Sequence, residues 1–234
     1  MKCCIIGLGV FGKNLTLDLA KLGAEVVVID PREENVSQVK DEASAAYIGD
    51  FSDTSILDKI PIREMDAVVI AIGDDFEKSI SLTIKAQEMR AKRLVCRVLS
   101  PLHERLLRLL KVDRLVVPEE VAARGLAHSL LMRGVVEGFD MGNGYSIIEA
   151  KVPGLKGTCL QEKGAVFKRA DVRIVTIKRL INTVLRNIAV KGGGVEKRST
   201  LGVPSLDEVF QEDDIFVLFG REKKLRIFLE EYAK

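Results

Sequence analysis

The feature that most constrains this chain is a glycine-rich turn near its start. The stretch "GLGVFGKNL" spaces its glycines as Gly7-x-Gly9-x-x-Gly12, directly behind the apolar run "CCII". "KCCIIG" has the pattern of a short buried strand, and apolar residues then recur at helical spacing up to Gly23. A second β-branched strand, "AEVVVID", ends on Asp30. Strand, glycine turn, helix, strand and terminal acid form the dinucleotide-binding fingerprint, which predicts a nucleotide at this turn.

Each position of the fingerprint has a physical reason. Gly7 allows the tight turn, Gly9 lets the backbone approach a diphosphate, and Gly12 lets the helix pack close to the strand. The start of the helix offers unpaired N–H groups and roughly half a positive charge to the phosphates. Asp30 would accept hydrogen bonds from ribose hydroxyls and repel a 2′-phosphate, although Arg32 makes that exclusion imperfect. The alternative is a nucleotide fold whose pocket stays empty.

The composition excludes several classes of protein. The 234 residues carry a net charge of +2 with 30% charged side chains, and this near balance argues against a nucleic-acid partner. The longest apolar runs, "VVVI" and "AVVIAI", are far shorter than the roughly 20 residues of a membrane span, and no signal peptide is evident. We therefore expect a cytoplasmic protein. The four cysteines lack zinc or redox spacing and are expected to be buried reduced thiols.

Alternating strand and helix patterns continue to about residue 134. Further strands are predicted at 45–50, 66–75, 93–99 and 113–120, and helices at 53–60, around 80–89, after Ser100-Pro101, and from Pro118 to about Leu131. The apolar fourth strand, "DAVVIAIGDD", is typical of the middle of a parallel sheet covered on both faces. The sequence therefore predicts an α/β domain over residues 1–134, with a Rossmann-like doubly wound parallel sheet.

The pattern changes after residue 134. The stretch 137–146, "EGFDMGNGYS", is rich in glycine and turn residues and is interpreted as a linker. Beyond it, the strand patterns "SIIEAKV", "DVRIVTIK" and "EDDIFVLFG" and a closing helix, "REKKLRIFLEEY", predict a small α+β domain over residues 135–234. The basic stretch 178–204 is either a solvated hairpin or a cationic lining for an anionic ligand.

The candidate nucleotide site consists of residues at the carboxyl ends of the predicted parallel strands, where doubly wound folds bind ligands. Ala71 and Gly73 would let backbone lie against ribose or phosphate, and Asp74 follows them. Arg97 is a candidate phosphate cation, as is Lys13. The predicted nucleotide-binding residues are Gly7, Gly9, Val10, Phe11, Gly12, Asp30, Pro31, Arg32, Gly49, Asp50, Ala71, Ile72, Gly73 and Arg97.

Two acidic residues complete the candidate site. Asp50 would pair with the exocyclic amine of an adenine. Glu119 is placed to hold a divalent cation beside the phosphates, or it is a helix-start carboxylate that interacts with the helix dipole.

No residue with a clear proton-transfer role stands at these strand ends. His103 and His128 both fall within predicted helices, and no P-loop or nucleophile elbow occurs. The site is therefore interpreted as one that binds rather than one that catalyses. An NAD-dependent oxidoreductase is the alternative, supported by the generic fingerprint with Asp30.

The motifs occur in an order that is typical of one family. "GLGVFGKNL", "VVVID", "YIGD", "VIAIGDD" and "DRLVVPEE" resemble the RCK-N (TrkA-N) domain. "SIIEAKVPGLKGTCL", "VRIVTIKR" and "VPSLDEVFQEDDIFVLFG" resemble the companion RCK-C (TrkA-C) domain, so the resemblance covers nearly the whole chain. It implies a non-enzymatic, nucleotide-responsive regulatory subunit of a bacterial potassium uptake system.

The resemblance also implies partners. Such subunits form homodimers through the helices that follow the fifth strand, here about residues 101–131, and assemble into rings that are often octameric. The ring binds the cytoplasmic face of a membrane-embedded potassium-translocating subunit. ATP, ADP or NAD(H) at the first domain changes the geometry of the dimer and thereby gates ion flow.

The resemblance assigns roles to individual site residues. Asp30 would hold the ribose, Asp50 and Gly73 would line the nucleoside, and Arg97 would reach a phosphate. Glu119 matches the acid that holds a cation near the phosphates in this family.

Two further comparisons with the family concern the ligand. Many ATP-gated members carry Arg where this chain has Val10, which leaves the choice among ADP, ATP and NAD(H) open. Some relatives bind cyclic di-AMP in the second domain, where Lys178 and Arg179 are the matching cations.

Overall fold

The computed structural model describes residues 1–180 and 198–233. The chain divides into two compact units, Met1–Pro118 and Glu119–Lys234, each with its own hydrophobic core. Most of the basic stretch 178–204, including Arg186, Lys191, Lys197 and residues 192–194, lies outside the described residues. In the described part of the chain, no helix is both long and apolar enough to cross a membrane.

The first unit is a parallel sheet with helices in its crossovers. Two 3₁₀ helices, Thr54–Lys59 and Ile62–Glu64, precede its fourth strand. The elements are β1 (Lys2–Ile6), α1 (Val10–Lys21), β2 (Glu25–Asp30), α2 (Glu33–Ser37), β3 (Ala45–Ile48), β4 (Ala67–Ile70), α3 (Phe76–Glu88), β5 (Leu94–Arg97), α4 (Pro101–Leu109) and β6 (Arg114–Val116). The strand order β3-β2-β1-β4-β5-β6 confirms the predicted doubly wound sheet.

The central strands are apolar because helices cover both faces of the sheet. In β1, Cys4 and Ile6 belong to one core cluster with residues of α3 and α4, whereas Ile5 belongs to a second cluster with residues of α1. Parallel pairing of β1 with both β2 and β4 places the carboxyl ends of these strands at one edge. The strand order reverses between β1 and β4, and this reversal opens a crevice there.

The cysteines are free thiols, and three of the four are buried. Burial raises the pKa of Cys4 to about 12 and that of Cys96 to about 11, so both thiols are protonated at neutral pH. Cys159 is only half-buried, which differs from the expectation for all four.

Four elements of the first unit differ from their sequence-based prediction. The predicted strand 113–120 ends at Val116, and the residues from Pro118 onward begin the next helix. The predicted helix over 53–60 is a 3₁₀ helix that begins after Asp53, whose carboxylate accepts the Ser55 N–H at 2.9 Å. The predicted strand 66–75 ends at Ile70, because the glycine and aspartates that follow disfavour a strand. Helix α2 was not predicted, since five residues are too few for a periodic signal.

The second unit is an antiparallel sheet with helices, which confirms the predicted α+β class. A 3₁₀ helix, Pro153–Leu155, interrupts it after the second strand. Its elements are α5 (Pro118–Leu131), β7 (Val135–Gly142), β8 (Tyr145–Lys151), α6 (Leu160–Ala170), β9 (Val172–Leu180), β10 (Arg198–Thr200), β11 (Ile215–Arg221) and α7 (Glu222–Tyr232). The strand order is β10-β9-β11-β8-β7, and the core contains Phe167, Phe216 and Phe228.

The predicted linker over 137–146 is wrong. These residues form most of a hairpin, β7 and β8, whose strands pair antiparallel. Its turn is Asn143-Gly144, with φ of +55° and +75°. Asn-Gly favours two-residue hairpin turns because both positions need a positive φ. The glycines that suggested a linker therefore close a hairpin.

Helix α5 packs with the second unit. Arg124 donates to the Asp140 carboxylate at 2.8 Å, and His128 Nε2 lies 2.9 Å from Glu222 Oε1. A Cβ on Gly138 would lie 2.8 Å from the Cβ of His128, so the helix lies close to β7. The boundary at residue 134 instead groups this helix with the first domain, and that division stays a prediction.

Candidate nucleotide-binding site

A cleft of about 450 Å³ lies at the carboxyl ends of the central strands of the first unit. This is the position at which doubly wound folds bind their ligands. The structure brings nine of the predicted residues together in its lining: Gly7, Gly9, Asp30, Pro31, Arg32, Ala71, Ile72, Gly73 and Arg97.

The three glycines of the turn after β1 have different surroundings. Gly7 has a φ of +97°, and a Cβ there would lie 3.1 Å from the backbone nitrogen of Ile72. A Cβ on Gly12 would lie 1.9 Å from the carbonyl oxygen of Gly7. A Cβ on Gly9 would meet no atom within 4 Å, although Gly9 lines the cleft. Packing therefore requires Gly7 and Gly12, whereas the space beside Gly9 is available to a ligand.

Helix α1 begins at the edge of this cleft. Its N-cap is Gly9, which has no side chain to cap the helix, and its first turn contains no acidic residue. The first N–H groups and the positive end of the helix dipole are therefore available to an anion. Val10, the first helical residue, is 80% exposed and adds no charge.

Asp30 ends β2 with its carboxylate held inside the fold. Its Oδ2 accepts the Leu8 N–H at 2.7 Å. Its Oδ1 accepts the Arg32 N–H at 3.0 Å and the Asn35 side-chain amide at 2.9 Å. The side chain is only 2% exposed. These hydrogen bonds tie the glycine turn to the end of β2, so Asp30 positions the turn.

The carboxylate of Asp30 retains limited capacity for a ligand. A carboxylate offers about four acceptor positions, two on each oxygen. Arg32 Nε also lies 3.4 Å from Oδ1, so this oxygen already has three donors. Oδ2 has one donor, the Leu8 N–H, and can accept one more hydrogen bond from a ribose hydroxyl.

Arg97 enters the cleft from the end of β5. A Cβ on Gly73 would lie 2.3 Å from Arg97 Nη1, so the guanidinium lies directly against the glycine backbone. Any side chain at position 73 would displace it. The fold thereby places a cation beside the small residues after β4, as the sequence predicts.

Four lining residues are outside the fourteen predicted nucleotide-binding residues, although the sequence already places Asp74 at the end of its strand: Phe51, Asp74, Asp75 and Lys78. Asp75 is the N-cap of α3, and the Lys78 N–H that it accepts at 2.9 Å holds the pKa of this carboxyl below its usual range. Lys78 Nζ lies 3.4 Å from the same carboxylate. An N-cap aspartate ahead of an apolar helical pattern is a readable signal. Phe51 lies in a loop, and its position depends on the tertiary fold.

Five predicted residues are not among those that line the cleft: Val10, Phe11, Gly12, Gly49 and Asp50. Phe11 packs against the core cluster that contains Ile5. Asp50 is exposed after β3, and its carboxylate accepts the Ser52 N–H at 2.9 Å, which lowers its pKa. Their roles in ligand binding stay predictions.

The predicted cation site has less structural support. Glu119 is the first residue of the second unit and lies in the first turn of α5. Among the described residues, no group of three or more His, Cys, Asp or Glu side chains could hold a metal ion. The candidate phosphate cation Lys13 donates instead to Gln38 Oε1 at 3.0 Å. Cation binding by Glu119 stays a prediction.

The two histidines have internal contacts within their own units. His103 is buried, its Nδ1 accepts the Leu99 N–H at 3.1 Å, and burial lowers its pKa. His128 faces Glu222, which also accepts a hydrogen bond from Ser146.

The cations suggested for a second ligand are also engaged. Arg179 donates to both carboxylate oxygens of Asp214 at 2.8 Å, which raises the pKa of the guanidinium. Lys178 pairs with the buried Glu149. Contact of Lys178 and Arg179 with cyclic di-AMP stays a prediction, and it would require these ion pairs to rearrange.

The fold and the cleft define the class of protein. A Rossmann-like domain, the type that binds nucleotides, is followed by a small α+β domain. Residues 3–118 match the family model of the TrkA-N domain. Residues 3–118 of the chain are therefore a TrkA-N domain.

Similar proteins extend the match beyond this domain. The chain is 27% identical over 217 residues to Ktr system potassium uptake protein C of Bacillus subtilis, which covers 92% of the chain and 90% of the relative. It is 27% identical over 222 residues to Ktr system potassium uptake protein A of Vibrio alginolyticus, with 94% and 93% covered.

Solved structures share the fold. The GsuK channel superposes with a TM-score of 0.64 at 17% identity, over 99% of this chain and 39% of that chain. The GsuK RCK domain gives a TM-score of 0.62 at 16% identity, over 99% and 48%. The GsuK channel bound to NAD gives 0.60 at 16% identity, over 100% and 39%. The chain thus spans about half, or less, of the length of these structures.

Proposed function

We propose that this protein is a nucleotide-responsive regulatory subunit of a potassium uptake system. The observation that carries the proposal is the glycine-lined cleft of the first unit. The chain that contains this cleft matches a Ktr potassium uptake protein over 90% of that relative's length. These relatives support a regulatory role rather than an oxidoreductase. The structural neighbour bound to NAD supports nucleotide binding by a domain of this fold.

The chemistry of the cleft suits a phosphorylated nucleoside. The backbone N–H groups around Gly9 and the start of α1 would bind phosphate, and Arg97 would add a positive charge. Oδ2 of Asp30 would accept one ribose hydroxyl, while Ala71 and Gly73 would let the ligand lie close to the backbone.

The ligand is an adenine nucleotide, ADP or ATP, or the dinucleotide NAD(H). Val10 provides no guanidinium for a terminal phosphate, so the cleft itself gives ATP no advantage over ADP at this position. A divalent cation would offset the phosphate charge of a bound triphosphate.

Regulation requires the nucleotide to distinguish two shapes of the assembly. A ligand shifts an equilibrium only by the difference between its affinities for the two states, and a hundredfold difference corresponds to about 2.7 kcal/mol. The chain would act as a homodimer that assembles into an octameric ring on the cytoplasmic face of a membrane-embedded potassium-translocating subunit. Co-purification of that membrane subunit with the tagged protein tests this partnership.

The test of the site is thermal unfolding with ATP, ADP, AMP, NAD and NADH. A ligand at a hundred times its Kd adds about 2.7 kcal/mol, which raises the Tm of a chain of this size by roughly 5 to 10 °C. The matched variant is Gly9→Val, because its side chain would enter the cleft without meeting protein atoms within 4 Å of its Cβ. We expect this variant to fold and to lose the rise in Tm.

Asp30→Ala is a poorer control, because it would also release the Leu8 N–H and disturb the turn. An unchanged Tm with all five nucleotides would refute the proposal. Steady oxidation of NADH with a small carbonyl compound would instead favour the oxidoreductase.

A further inference from the structure

Arg32 is a cation in the cleft that the proposed nucleotide contacts leave unused. It follows Asp30-Pro31 at the end of β2, its side chain is 62% exposed, and it lines the cleft. Its Nε lies 3.4 Å from Asp30 Oδ1. Within residues 1–180 and 198–233, its two Nη groups donate no hydrogen bond to the protein. The guanidinium can therefore bind an anion without breaking a contact of the fold.

The acid that normally excludes a 2′-phosphate already accepts hydrogen bonds from several donors of the protein. An aspartate at the end of the second strand favours an unphosphorylated ribose by presenting its charge to the 2′-hydroxyl, whereas a nearby arginine accommodates a 2′-phosphate. Here the Asp30 side chain is 2% exposed and is held by the Leu8 N–H, the Asn35 amide and Arg32. Its charge is therefore stabilised internally, and the adjacent Arg32 offsets it.

Asp74 and Asp75 also line the cleft, whereas the acids that follow Arg32 in the sequence do not. Glu33 and Glu34 lie in the first turn of α2, and both are exposed. Their charges are screened by solvent and salt, as is usual for exposed side chains. At the end of β2, Arg32 therefore presents to the cleft a positive charge with N–H donors that the fold does not use.

We infer that the cleft also accepts nucleotides whose adenosine carries a 2′-phosphate, the NADP(H) class, beside the unphosphorylated adenine nucleotides proposed above, and that Arg32 is the residue that binds the 2′-phosphate. This inference rests on the proposed function, because it assigns a ligand class to the same cleft. A guanidinium forms charge-assisted, often bidentate hydrogen bonds with phosphate, which a neutral side chain cannot replace.

The experiment compares ligands that differ only by the 2′-phosphate. Titration with NADH and NADPH is followed by nicotinamide fluorescence, which is free of tryptophan emission because the chain contains no Trp. Thermal unfolding with AMP and with adenosine 2′,5′-bisphosphate provides the same comparison without nicotinamide. We expect the 2′-phosphorylated member of each pair to bind at least as tightly as the other.

Variants assign the effect to one residue. Arg32→Gln should weaken NADPH by about tenfold while NADH changes by less than about twofold. Lys78→Gln is the matched control, because it removes another cation of the same cleft and should not discriminate between the two dinucleotides. Arg32→Lys keeps the charge and should lose only part of the NADPH affinity.

The outcomes separate this inference from the proposed function. NADPH binding that is about tenfold weaker than NADH binding, or an Arg32→Gln effect that is absent or equal for both, overturns the inference. If dinucleotides fail to bind, a smaller rise in Tm with the bisphosphate than with AMP overturns it. Failure of every nucleotide to bind or to raise the Tm refutes the proposed function itself.

Discussion

The glycines of the first turn differ in what a side chain at each position would meet. Gly12 lies so close to the Gly7 carbonyl that a Cβ would overlap it at 1.9 Å, and the obstacle is backbone rather than a flexible side chain. Gly9 has an ordinary φ of −62° and open space beside it. The same residue type is therefore required for packing at one position and for ligand access at the other.

This difference predicts that two alanine substitutions destabilise the protein to different extents. Gly12→Ala should lower the free energy of unfolding by about 1 to 3 kcal/mol, because the helix must move away from the turn. Gly9→Ala should cost at most about 1 kcal/mol, the loss of a favourable N-cap residue. Urea unfolding of both variants beside the parent measures these changes. Equal losses of stability would contradict the conclusion that packing requires a glycine at position 12 but not at position 9.

At the scale of elements, the β7–β8 hairpin shows how a short sequence can be misread. Its strands include Gly138 and Gly142 among polar residues, so the stretch 137–146 lacks a clear alternating pattern. Pairing with β8 and the close approach of α5 to Gly138 make it a strand. A side chain at position 138 would collide with the helix, because its Cβ would lie 2.8 Å from the Cβ of His128.

A glycine of the hairpin turn and a glycine of helix α6 form a matched pair for substitution. Gly144 has a φ of +75°, so Gly144→Ala should destabilise the protein by about 1 to 2 kcal/mol through backbone strain. Gly164 lies within α6, and a Cβ there meets nothing within 4 Å. Gly164→Ala should raise stability by about 0.5 to 1 kcal/mol. Thermal and urea unfolding measure both, and a stable Gly144→Ala protein would argue against the turn geometry.

At the scale of the whole molecule, exposed apolar side chains occur on helices of both units. Leu102 and Leu109 of α4 are exposed, as are Leu126 and Leu130 of α5. A homodimer formed through these helices would bury such side chains. These helices are the ones that the sequence resemblance assigns to the dimer.

Introducing charges into the proposed interface tests the dimer directly. Leu126→Glu with Leu130→Glu should convert a homodimer to a monomer, because buried unpaired carboxylates oppose association. Leu22→Glu is the control, since Leu22 is 83% exposed at the end of α1, outside these helices. Light scattering coupled to size exclusion gives the mass. A parent protein that is monomeric, or a double variant that stays dimeric, would exclude this interface.

The sequence predicts well wherever one local signal sets the structure. The apolar runs of β1 and β4 identify buried parallel strands, and the glycine spacing places the turn between β1 and α1. Alternation of strands and helices is sufficient for the doubly wound class, because parallel strands need crossovers. Nine residues of the cleft follow from the rule that ligands lie at the carboxyl ends of such strands.

Only the tertiary structure decided which way the side chains of the cleft face. The motif identifies Asp30, but packing turned its carboxylate inward to Leu8 and Asn35 and left Arg32 exposed. The fold likewise brought Phe51 and Lys78 to the cleft from segments that carry no nucleotide motif. The physical reason is that buried polar groups must find partners, and the fold can bring such a partner from a distant part of the sequence, as it brings the Leu8 N–H to Asp30.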